Sequence, residues 1–141
     1  MYKKIFCLFA IIFAFIGCVS NQSGIKEGEF ELYENEKYLG RIFRLKNYQV
    51  ELYNNEPVFI ARLEWISDSI CNLIGTKINP VDIDTVVFRN TFERIEQNKF
   101  RIFITPINSS IEYSFKGILN KKSDKIPSKY LDTLIYLNNL D

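Results

Sequence analysis

From Glu27 to about Lys116 apolar and polar residues alternate with a period of two, and this period constrains the fold more than any other property of the chain. Successive side chains of an extended strand point to opposite faces, so the alternation builds half-buried strands rather than helices. Phe30 and Leu32 alternate with Glu29 and Glu31, and Phe43 and Leu45 alternate with Arg44 and Lys46. Val50 and Leu52 alternate with Gln49, Glu51 and Tyr53. Beyond the turn signal Asn54-Asn55-Glu56-Pro57, the residues Phe59, Ala61, Leu63 and Trp65 share one face, with Arg62 and Glu64 on the other. Phe100, Ile102 and Ile104 form a further such set, and Ile111, Tyr113 and Phe115 another.

One wet face per strand is the habit of antiparallel sheet, because parallel strands are covered on both sides. The spacing predicts strands at 28–34, 38–46, 48–54, 58–66, 69–75, 84–90, 99–106 and 110–118, with 91–96 either prolonging a strand or turning. The fold class is therefore all-β: an antiparallel meander of about eight strands. A meander of this length must hide its edge strands, and closure into a small barrel does so best, with an open sheet covered by the tail as the alternative. The tail changes period. After Lys121-Lys122-Ser123-Asp124-Lys125, the residues Tyr130, Leu131, Leu134, Ile135 and Leu137 have helical spacing. They predict a helix from Pro127-Ser128 to about Leu137, with Ser128 as N-cap, docked on a barrel end or sheet edge or else offered to a partner. The domain limits follow as 27–120 for the β domain and 121–141 for linker and helix.

The first residues are a different kind of chain. Lys3 and Lys4 precede an apolar run from Ile5 to Ile16, about 18 Å of helix at 1.5 Å per residue and too short for a hydrocarbon core of about 30 Å. A charged start, a short apolar stretch and a small residue make the layout of a secretory signal, with a short membrane anchor as the weaker alternative. Phe15-Ile16-Gly17-Cys18 resembles a bacterial lipobox, departing from it in Phe15, where Leu is usual. The resemblance implies a lipoprotein signal peptide over 1–17, cleavage before Cys18, lipidation of Cys18 and a polar tether over 18–26. Several acyl chains anchor a protein where one does not. Val19 stands where inner-membrane lipoproteins carry Asp, which implies the outer membrane of the bacterial cell envelope. Without Lys3 and Lys4 the formal charge of +1 becomes −1.

Composition narrows the chemistry. There are 18 Lys+Arg against 17 Asp+Glu, without the clustered basic excess of a nucleic-acid binder. The sequence contains no histidine, which removes the usual general base and the commonest metal ligand. With Cys7 discarded and Cys18 lipidated, Cys71 stands alone in an apolar run and reads as a buried structural thiol. No phosphate-binding glycine loop and no metal-type cysteine pair occur, so no cofactor is expected. Asp82 and Asp84 lie on one side of an extended segment, about 6.5–7 Å apart, a spacing compatible with a cation site or an acid/base pair but commoner as a solvated turn. Glu64 beside Trp65 points to the opposite face from it. Lys121, Lys122 and Lys125 read as a solvated linker.

Gly28-Glu29-Phe30, Arg44, Gln49-Val50-Glu51, Leu63-Glu64-Trp65 and Cys71-Asn72-Leu73 together resemble a group of small uncharacterised bacterial lipoproteins. Members of that group are sometimes labelled DNA topoisomerase IV, a label that the size, the export signal and the charge of this chain contradict. The Gly-x-Phe opening is also similar to the Gly-x-Trp start of lipocalin barrels. The export signal and the absence of histidine lead to the expectation of a non-enzymatic binding or accessory module of the envelope, its partners being the membrane through the lipid and a hydrophobic ligand or another envelope protein. Phe43, Trp65 and Phe100 are the residues expected to line an apolar pocket. The competing expectation is a small carboxylate-dependent hydrolase or carbohydrate-active protein.

Overall fold

The computed structural model describes residues 24–76 and 86–141. Cys18, with the signal segment, and the Asp82/Asp84 pair lie outside the described residues. Eight strands run in order: β1 (Glu27–Glu34), β2 (Lys37–Leu45), β3 (Tyr48–Tyr53), β4 (Glu56–Ser67), β5 (Ile70–Thr76), β6 (Val87–Glu96), β7 (Lys99–Pro106) and β8 (Phe115–Ser123). Each pairs antiparallel with its neighbours in sequence, and β8 returns to β1 to close the barrel. This is a lipocalin-like, up-and-down arrangement, which leaves no free edge. The helix α1 (Ser128–Asn138) follows.

Alternation sets the two surfaces of the wall. Phe30, Ile42, Ala61, Leu63, Cys71, Leu73, Phe92, Phe100, Ile102 and Leu119 point inward and form one buried cluster with Ile25. Phe43, Val50, Leu52 and Leu134 form a second, with Leu45, Tyr48 and Tyr130 packed against it. This second cluster lies on the outside of β2 and β3, beneath α1. The ring of Phe43 stacks on Tyr130 with centroids 4.7 Å apart. Asn138 closes the contact, its side-chain amide donating to the Leu45 carbonyl at 2.9 Å.

Where the chain departs from expectation, the causes are local. The helix covers the outer wall rather than an end or an edge, because Phe43, Leu45, Val50 and Leu52 give that wall an apolar face that requires a cover. Pro127, not Ser128, occupies the N-cap position, and no side chain caps the helix, so packing holds it in place. Residues 91–96 prolong β6. The last strand is Phe115–Ser123 rather than 110–118, because closure requires a strand that pairs on both edges. This stretch pairs with β7 at Phe100↔Leu119 and with β1 at Phe30↔Lys121. Lys121 and Lys122 therefore belong to the barrel and not to a linker. At the seam Gly28 has φ +123°, and a Cβ there would collide with the Ser123 carbonyl oxygen.

The strand directions distinguish the ends. The β1–β2 and β3–β4 turns, Asn35-Glu36 and Asn54-Asn55, lie at one end and place both central residues at positive φ, the geometry of two-residue hairpins. The β7–β8 connection, the end of β5 and the start of β6 share that end. The chain enters the barrel at the other.

Candidate functional site

The entry end is sealed. Residues 24–26 cross it, with Ile25 buried beneath. Arg44, on the inward face of β2, is fully buried and donates from Nη1 to the Ile25 carbonyl and from Nε to Gln49 Oε1, both at 2.8 Å. Its guanidinium lies 5.3 Å from the ring centres of Phe30 and Phe92 and 5.8 Å from Trp65. Burial pulls its pKa down, opposed by Cys71 and Glu51, and it remains a cation. Lys121 reaches the same strap, donating to the Gly24 carbonyl at 3.0 Å, and Lys26 pairs with Asp68 at 2.8 Å.

The opposite end holds a cavity of about 320 Å³ that opens to solvent, lined by Glu51, Phe59, Leu73, Phe88, Asn90, Ile104, Ile111 and Tyr113. This volume lies at the lower end of the range typical of small-ligand sites. Phe59, Leu73, Phe88 and Ile104 come from the inward faces of β4, β5, β6 and β7, while Ile111 and Tyr113 come from the β7–β8 connection. Phe59 finds room because residue 75 is glycine; a Cβ at Gly75 would run into its ring.

Two polar side chains face this apolar space. Asn90 is 1% exposed, and its Oδ1 has no hydrogen-bond partner. Such a buried orphan acceptor costs about 1–3 kcal/mol. Glu51 accepts a hydrogen bond on Oε1 from Gln49 Nε2. Burial pushes its carboxyl up, while the Gln49 hydrogen bond and the charge of Arg44 pull it back. Because Arg44 can only donate, Gln49 must turn its oxygen to Arg44 and its NH₂ to Glu51. A directed chain thus runs from the Ile25 carbonyl through Arg44 and Gln49 to Glu51 at the cavity wall.

The residues expected to line the pocket are elsewhere. Phe43 faces outward under α1. Phe100 is packed in the interior cluster. Trp65 is half-buried at the sealed end, its indole NH donating to the Lys46 carbonyl at 3.0 Å. None of the three lines the cavity. Glu64 is exposed and lies 3.8 Å from Arg62 on the outer face. Cys71 is fully buried, and burial pushes its thiol up to about 11, so it is no nucleophile at neutral pH. Asn90 had a signal in the sequence, since period two places it between Phe88 and Phe92 on one face. Glu51 had none, because its neighbours on that face, Gln49 and Tyr53, are also polar.

Comparisons with protein-family models, with curated proteins and with solved structures give no match. The fold itself belongs to the class of eight-stranded barrels whose interior is just wide enough for side chains or one small ligand.

Proposed function

We propose that this chain is a lipid-anchored lipoprotein of the bacterial outer membrane, held by Cys18, whose barrel binds one small hydrophobic ligand without transforming it. The observation that carries the reading is the cavity of about 320 Å³, apolar in most of its lining and open at one end of a barrel sealed at the other. Among the described residues the lining contains one carboxylate, Glu51, whereas glycosidase-type chemistry uses two. That favours binding over the carboxylate-dependent hydrolase. Native mass spectrometry of the full chain, expressed in a Gram-negative host and released gently from membranes, tests it. The expected spectrum has one small molecule per protein, lost when Ile104→Trp fills the cavity. A ligand-free spectrum for both proteins counts against the reading. For the anchor, labelling with radioactive palmitate is expected to mark the protein and to disappear in Cys18→Ser; label persisting in that variant rejects Cys18.

A further inference from the structure

The polar groups of the cavity point to the kind of head group it accepts. Oδ1 of Asn90 is a buried acceptor lacking a donor. Oε1 of Glu51 is fixed as an acceptor by the direction of the Arg44–Gln49 chain, and Gln49 occupies only part of a carboxylate's capacity of about four lone-pair sites. What both lack is a donor. Among the described residues no Lys or Arg lines the cavity, so the positive charge acting on an ionised Glu51 is that of Arg44, on the far side of Gln49. The rest of the wall offers the rings of Phe59, Phe88 and Tyr113, whose faces attract cations.

We propose that the cavity takes a small hydrophobic amine, its apolar body among Phe59, Leu73, Phe88 and Ile104 and its protonated nitrogen donating to the Glu51 carboxylate and to Oδ1 of Asn90. The proposal rests on the ligand-binding reading above and adds the chemistry of the head group. An ammonium brings three donors and a positive charge to two acceptors; an alcohol brings one donor and no charge; a carboxylate brings a like charge against Glu51. Hydrogen bonds to an ionised partner are about twice as strong as neutral ones, which sets the expected order.

Calorimetric titration of the full chain in lipid nanodiscs, with empty nanodiscs subtracted, compares n-hexylamine, n-hexanol and hexanoate at pH 7.5. With heavy atoms of roughly one water volume, ~30 Å³ each, all three fit the cavity. Hexylamine is expected to bind one per protein and about tenfold more tightly than hexanol, with hexanoate weakest. In Glu51→Gln the amine should fall to the level of the alcohol while hexanol itself changes little. Equal affinities for the three probes, or hexanoate binding best, overturn the amine assignment and leave the hydrophobic-ligand reading standing. Absence of binding by all three overturns both. The series on the unaltered protein decides even where Glu51→Gln does not fold, and a variant that weakens amine and alcohol equally removes Glu51 from the role.

Discussion

The two ends of this barrel are built from opposite materials. At the sealed end a buried cation is enclosed by two hydrogen bonds and three aromatic faces, and a strap of backbone covers it. At the open end an apolar space contains an acceptor with no donor and a carboxylate whose charge is disfavoured by burial. At the sealed end the chain supplies acceptors to Nε and Nη1 of Arg44 and leaves Nη2 among aromatic rings, whereas at the open end Oδ1 of Asn90 lies beside an open cavity with no donor. Interior polar groups with partners hold a fold together, and those without partners are tolerated at sites of binding.

Substitutions can break this contrast. The largest effect belongs to Arg44→Ala, which leaves the Ile25 carbonyl and Gln49 without their donor and opens a void among Phe30, Trp65 and Phe92. A loss of about 3–5 kcal/mol is expected by urea denaturation, and a loss below about 1 kcal/mol would mean that the plug is dispensable. Next is the titration of Cys71, in the sealed half. Its thiol ionises near 9 when unfolded and at about 11 when folded. Ionisation therefore favours the unfolded chain as pH rises between those values, and the contribution is fully present below pH 9. The difference in stability between wild type and Cys71→Ala should shrink by roughly 2–3 kcal/mol over that interval; parallel pH profiles for the two proteins would contradict it.

Gly75→Ala drives the Phe59 ring toward the cavity. We expect about 1–2 kcal/mol of destabilisation together with a clear loss of hydrophobic-ligand affinity in titrations, and unchanged affinity would show that Phe59 has another way out. The smallest effect, and the sharpest test of the contrast, is Glu51→Gln. The raised carboxyl means that ionisation opposes folding as pH climbs above the ordinary carboxylate range. The neutral amide should then give a small gain in melting temperature at pH 7 that vanishes at pH 3, where both side chains are uncharged. A loss of stability at pH 7 as large as that of Arg44→Ala would make both ends structural and end the distinction.

Most of the wall was legible in the sequence because period two is a property of the pleat itself. Phe30, Ala61, Leu63, Phe100 and Ile102 point inward as their alternation implies. The same alternation misleads in β2 and β3. Phe43, Val50 and Leu52 are apolar and buried, yet they face outward, because α1 turns that outer wall into a second interior. Alternation reveals which residues share a face and leaves open which face is inside; the cover lies some eighty residues further along the chain. Arg44, Gln49 and Glu51 were hidden for the same reason, since polar residues alternating with apolar ones look like a solvated face. The cavity was illegible for another reason: Ile111 and Tyr113 continue a strand-like alternation but belong to the rim, and strand closure against β1 rather than local pattern decides where β8 starts.

The strap over the sealed end has a mechanical consequence. The Gly24 and Ile25 carbonyls are held by Lys121 of β8 and Arg44 of β2, and Lys26 is paired with Asp68 at the β4–β5 turn. A pull exerted on the chain at Gly24 is thus distributed over several strands at once and loads them in shear, instead of peeling β1 away by itself.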